Sequence, residues 1–77
     1  MDKVTITEKQ NDKNVYNLVF TPDVVRASLS QDGTTLFSFT KDSDKVFSNP
    51  PAGKYVIAVW YKEEGELKVT EQTWVRE

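Results

Sequence analysis

Apolar and polar residues alternate along this chain in short runs, and turn residues break the alternation roughly every ten positions. No window sustains the i, i+3, i+4, i+7 apolar stripe of an amphipathic helix. The pattern predicts seven strands. The first covers residues 3–8, with Val4 and Ile6 facing one way. The turn Asn11-Asp12-Lys13-Asn14 separates it from the second, residues 15–20, where Tyr16, Leu18 and Phe20 share a face. Pro22-Asp23 ends that strand and residues 24–30 form the third. Asp32-Gly33 is a hairpin signal, because both residues tolerate the positive φ of a type I′ turn, with Gly33 the more permissive. Residues 34–40 form the fourth strand, residues 45–47 a short fifth, residues 54–62 the sixth and residues 66–76 the seventh. The polar loop Lys41-Asp42-Ser43-Asp44 precedes the fifth strand, and Asn49-Pro50-Pro51-Ala52-Gly53 forces a corner after it.

Register follows from which faces match. In the last hairpin, a two-residue loop at Glu64-Gly65 sets Lys62 opposite Leu67 and Ala58 opposite Glu71. A three-residue loop, Glu63-Glu64-Gly65, sets Tyr61 opposite Leu67 and Val59 opposite Val69, and puts Gly65 where a bulge needs a left-handed residue. The second register pairs apolar with apolar and is the expected one. In the Asp32-Gly33 hairpin, a two-residue turn pairs Leu29 with Leu36 and places Val25 and Ala27 on that face. The opposite face then holds Phe37 and Phe39, with Arg26 opposite Phe39. Both faces are apolar enough to be core. The phenylalanines either fill the interior or form an aromatic patch anchored by Arg26.

Composition strengthens the strand reading. Valine, isoleucine and threonine supply 20 of the 77 residues, alanine and leucine only 7. The chain has room for a single domain spanning residues 1–77, small enough that its core leaves a net stability of a few kcal/mol. With no cysteine or histidine, it lacks disulfides, thiolate nucleophiles, and the commonest general base and zinc ligands. Ten cationic residues against 12 acidic ones, a net charge of −2, give no basic field for nucleic acid. The longest apolar run, residues 55–61, is far short of the roughly 20 residues of a membrane helix. The opening Met1-Asp2-Lys3-Val4-Thr5 lacks the layout of a signal peptide. These features suit a cytoplasmic protein, a virion component, or a surface domain cut from a longer chain.

The segment Pro51-Ala52-Gly53-Lys54-Tyr55-Val56-Ile57-Ala58-Val59 resembles the E–F corner of immunoglobulin-like sandwiches, including bacterial, phage and fibronectin-III-like modules. The matching elements are Gly53, Tyr55 two residues on, and an inward apolar residue, Ile57, two further. The resemblance implies that the Tyr55 hydroxyl bonds back to upstream backbone and that Ile57 stands where the family has a buried cysteine. It implies an all-β, antiparallel, Ig-like β-sandwich of about seven strands. The sequence departs from the family in having no inter-sheet cysteine pair and no tryptophan in the third strand. A small barrel of the SH3 or OB type is the alternative fold.

If Tyr55, Ile57, Val59 and Tyr61 face inward, Val56, Ala58 and Trp60 face outward. The expected register puts Lys68 opposite Trp60 and brings Gln72 and Trp74 to the same outer stripe. Exposed aromatics with an apolar floor and polar rim are characteristic of protein interfaces, so Val56, Trp60, Lys68 and Trp74, with Arg26, are the candidate binding residues. The opposing reading folds Trp74 over a sheet edge and packs Trp60 under a neighbour. Gly33, Gly53, Gly65, Tyr55 and Ile57 are the structural candidates. Asp42 and Asp44 lie between lysines and read as a solvated loop, so no metal site or cofactor is expected. Glu63, Glu64 and Glu66 read as a solubilising tip. No catalytic constellation is visible. The expected function is a non-enzymatic protein-interaction or structural accessory module, of a phage particle or bacterial surface assembly. A small viral inhibitor of a host protein and a carbohydrate-binding module are the alternatives. A protein partner is expected and a homo-oligomer is open; nucleic acid and membrane are not expected partners.

Overall fold

The computed structural model describes residues 2–77. Seven strands form: β1 (Val4–Glu8), β2 (Val15–Phe20), β3 (Val24–Gln31), β4 (Thr34–Thr40), β5 (Val46–Ser48), β6 (Gly53–Glu63) and β7 (Glu66–Arg76). They divide into a three-stranded sheet, β1-β2-β5, and a four-stranded sheet, β4-β3-β6-β7, with every pairing antiparallel. The sheets are separate and each keeps two free edges, so the molecule is a two-layer sandwich and not a closed barrel. The chain changes sheet between β2 and β3, between β4 and β5, and between β5 and β6.

Alternation builds the dry layer between the sheets. Val4, Ile6, Tyr16, Leu18 and Phe20 point in from the three-stranded sheet; Ala27, Leu29, Tyr55, Ile57 and Val59 answer from the other. β5 is only three residues long, yet its one inward side chain organises an aromatic cluster. The Phe47 ring lies 5.6 Å from Tyr16, 4.9 Å from Phe37, 5.8 Å from Phe39 and 5.9 Å from Trp74, centroid to centroid.

The corner before β6 is held by Tyr55, whose side chain is fully buried and whose hydroxyl donates to the Pro51 carbonyl oxygen at 2.5 Å. Burial raises the ionisation of this phenol above its ordinary 10.0, partly opposed by the charge of Arg76. Gly53 enters the strand at φ 128°, where a side chain is strained, and a Cβ there would come within 2.5 Å of the Gln31 amide nitrogen. That nitrogen donates to the Ala52 carbonyl oxygen at 2.8 Å, tying the corner to the end of β3.

Two registers differ from the sequence expectation. The β6–β7 loop has two residues, not three: Glu64 and Gly65 take φ 52° and 81°, the signs of a type I′ turn. Lys62 therefore faces Leu67, and Trp60 faces Val69. The reason lies farther along β7, because this register sets Trp74 opposite Tyr55 on the inner face. There the indole packs 5.2 Å from both Tyr16 and Tyr55. Burying half of an indole's roughly 150–250 Å² contributes about 2–3 kcal/mol. A left-handed Glu64 costs about 1–2 kcal/mol, so the indole wins. Gln72 turns inward as well. Its side-chain amide accepts from Lys3 N (2.8 Å) and Val4 N (3.0 Å) and donates to Val4 O (2.9 Å), bridging β7 to β1 across the open flank.

The β3–β4 hairpin has the expected turn, with Asp32 at φ 51° and Gly33 at φ 82°. Its register then shifts between Leu29 and Ser30, leaving Leu36 as the extra residue. Leu29 consequently faces Phe37 rather than Leu36, Ala27 faces Phe39, and Arg26 faces Thr40 rather than Phe39. One bulge thus brings the phenylalanines onto the same inner face as Ala27 and Leu29, which resolves the two-sided apolar pattern of this hairpin. A second irregularity, between Val24 and Arg26 on the β6 side, turns Val24 fully inward and leaves Val25 half-buried. The fifth strand starts one residue later than expected.

Candidate functional site

The outer face of the four-stranded sheet is where exposed apolar side chains and charge come together. Strand alternation places Val56, Ala58 and Trp60 there from β6, and the two-residue loop places Leu67, Val69, Glu71, Thr73 and Val75 there from β7. One cross-strand row runs over all four strands: Thr40, Arg26, Trp60, Val69. Within it the Arg26 guanidinium carbon lies 4.8 Å from the Trp60 ring centroid, a cation–π stack. The next row is small, with Ser38, Ser28 and Ala58 leading to Glu71. Ser28 is covered despite facing outward. Beside these lie Val56, 37% exposed, and the most open large apolar side chains of β7: Leu67 at 59%, Val69 at 56% and Val75 at 58%.

The charges on this face are unbalanced. Lys54 lies beside Val75 and Lys62 beside Leu67. With Arg26 they make three cations against the single carboxylate of Glu71, in a chain whose net charge is −2. Two of the three glutamates of the β6–β7 tip face the other way. Glu63 and Glu66 sit on the inner side, where Glu63 accepts from Lys68 Nζ at 2.9 Å. That bond holds the Lys68 ammonium above its ordinary 10.5.

Of the residues singled out in the sequence, the structure brings Val56, Trp60 and Arg26 together on one surface. It does not bring Lys68 or Trp74 there: Lys68 pairs with Tyr61 rather than Trp60, and Trp74 packs into the aromatic cluster. Gln72 leaves that surface too. Leu67, Val69, Val75, Lys54 and Lys62 take their place. The signal that identifies them is the parity of the last loop, since moving from three residues to two exchanges the faces of β7.

Elsewhere the surface is plainer. A shallow cleft of about 350 Å³ lies between Phe20, Pro22 and Val24, rimmed by Lys41 and Lys45. Lys45 Nζ is already committed to the carbonyl oxygens of Lys41 (2.7 Å) and Ser43 (2.9 Å). A second, of about 390 Å³, follows the seam between β4 and β5. Lys3 and Asp23 form an ion pair at 2.5 Å, and Thr21 also donates to Asp23. Both bonds hold the Asp23 carboxyl below its ordinary 3.8, and the pair raises Lys3 above 10.5. Lys3 also lies 4.3 Å from the Tyr61 ring centroid, so this cluster pins the start of β1 against the end of the larger sheet.

In comparisons with known proteins, no family model, curated protein or solved structure matches this chain.

Proposed function

We propose that this chain is an Ig-like, non-enzymatic interaction module that docks a partner protein on the outer face of its four-stranded sheet. The Tyr55–Pro51 corner bond and the exchange of strands between a three- and a four-stranded sheet support the Ig-like assignment. The observation that carries the docking reading is the set of exposed apolar side chains Val56, Leu67, Val69 and Val75 on one face, with the half-buried Trp60 among them and Glu71 and Thr73 interrupting the row. Apolar patches of this kind with an aromatic at the centre concentrate binding energy. Arg26, Lys54 and Lys62 around it fix the chemistry of the partner: an apolar contact ringed by carboxylates. Two copies of the same cationic face would repel, which disfavours face-to-face self-association. Arg26 also occupies one face of the Trp60 indole, the platform that sugar stacking would use.

The test is capture from a lysate with wild type beside Trp60→Ala, a Lys54→Glu, Lys62→Glu double variant, and Val19→Ala as a control on the exposed face of the smaller sheet. The expected result is a captured protein lost with both outer-face variants, kept with Val19→Ala, and released as salt rises. Capture that ignores the outer-face variants, or no capture at all, would overturn the proposal.

A further inference from the structure

The four sheet edges are not equivalent. Free edges invite pairing with another strand, and proteins protect them by shortness, bulges, proline or charged side chains. β1 has five residues and β5 three. β4 carries the bulge at Leu36. β7 lacks shortness, bulge and proline: it is eleven residues long and pairs with β6 without a break from Glu66 to Arg76. Its protection is charge, from Glu66, Lys68, Glu71 and Arg76, and only a register that matches those charges can use the edge.

The hairpin also fixes which backbone groups are free. A two-residue loop makes Glu63 and Glu66 a hydrogen-bonded pair, so the even-numbered residues of β7 bond to β6. The bond from Lys62 N to Asp23 O, directed to the opposite side of β6, agrees with this parity. The N–H and C=O groups of Leu67, Val69, Glu71, Thr73 and Val75 therefore point off the edge. Among the described residues, β1 reaches β7 through the Gln72 side chain and forms no ladder with it.

We propose that β7 is a self-association edge, on which a second copy of this chain pairs antiparallel about a two-fold axis at Glu71. This register uses the whole strand. It sets Leu67 opposite Val75 and Val69 opposite Thr73 on the outer face, and Glu66 opposite Arg76 on the inner face, each pair occurring twice. The shift by two residues, centred on Gln72, sets Lys68 against Arg76 twice, and like charges directly opposite are destabilising. The chosen register has one such conflict, Glu71 against itself. The product is a continuous eight-stranded sheet, with the Leu67–Val75 and Val69–Thr73 pairs on either side of the Glu71 pair at the dyad.

The experiment is sedimentation equilibrium of the full chain up to about 1 mM, the weak end of specific affinity. Wild type is expected to show a monomer–dimer equilibrium. Glu71→Thr removes the central conflict and is expected to tighten the dimer about two- to fivefold. Thr73→Pro deletes an edge-facing N–H that β6 does not use, and is expected to give a folded monomer by circular dichroism. Leu67→Lys leaves the backbone intact, removes the apolar contact with the partner's Val75 and adds a cation on the outer face that also carries the partner's Lys54, so it is expected to weaken the dimer even if the proline variant misfolds. A wild type that stays monomeric overturns the proposal. So does a dimer indifferent to Leu67→Lys, or one that Glu71→Thr does not strengthen.

Discussion

Replacing Tyr55 by phenylalanine isolates the corner bond, because the ring and its contact with Trp74 remain while the hydroxyl that reaches Pro51 O is removed. A net hydrogen bond contributes about 0.5–1.5 kcal/mol. That is a sizeable part of the few kcal/mol that a core this small leaves. With a urea slope near 1 kcal/mol/M for so small a chain, the midpoint at pH 7 should fall by about 0.5–1.5 M. A second signature lies in alkali. The folded protein holds the Tyr55 proton more tightly than the unfolded chain, so its contribution is complete below the ordinary 10.0 and is lost as pH rises through the folded value. Within that window one such group lowers stability by about 1.4 kcal/mol per pH unit at most. The raised Lys3 is lost in the same direction but is present in both proteins, so it cancels from their difference. Urea melts at pH 7 to 11 should show the two curves converging above pH 10. A Tyr55→Phe variant as stable as wild type at pH 7, with an unchanged alkaline slope, would refute the reasoning.

The two tryptophans should separate in the same assay. Both indoles are half-buried, but only Trp74 packs against the core cluster. Trp74→Ala is therefore expected to cost about 2–4 kcal/mol, whereas Trp60→Ala loses about 1 kcal/mol of stacking and surface contact. A larger loss at Trp60 would reverse the assignment of faces. Asp23 ionises below its ordinary 3.8, so the stability of its pair with Lys3 is present above that value and lost as pH falls through the folded one. Asp23→Asn should flatten this part of the acid limb in pH-dependent melts. Gly53→Ala forces a side chain to φ 128° and should cost about 1–3 kcal/mol by urea midpoint, with Gly33→Ala, which meets open space, as the comparison for positive φ alone.

How far the sequence spoke depended on whether local or distant residues decided the outcome. Strand positions, the Asp32-Gly33 turn and the inward faces of β1, β2 and β6 follow from alternation and turn chemistry, which act over a few residues. The β6–β7 register departs from the local match of Val59 with Val69 because the decisive contacts lie farther along the strand, those of Trp74 with Tyr16 and Tyr55 and of Gln72 with β1. The bulge at Leu36 was invisible for a related reason. Both faces of that hairpin are apolar, and only the opposing layer around Phe47 selects one. Part of the candidate surface was legible, through Val56 and Trp60 on β6, whose facing follows from alternation; Arg26 joins them because the bulge at Leu36 sets it opposite Thr40 and away from Phe39. The β7 half changed with the loop length.

The most direct test of the whole account is the β6–β7 register in solution, read from interstrand Hα–Hα contacts by NMR, which are strongest at non-hydrogen-bonded pairs where the backbones approach most closely. The account predicts contacts between Trp60 and Val69 and between Lys62 and Leu67, the pairing that turns Trp74 inward and leaves Leu67, Val69 and Val75 on the exposed face. Contacts between Tyr61 and Leu67 or between Val59 and Val69 would contradict it.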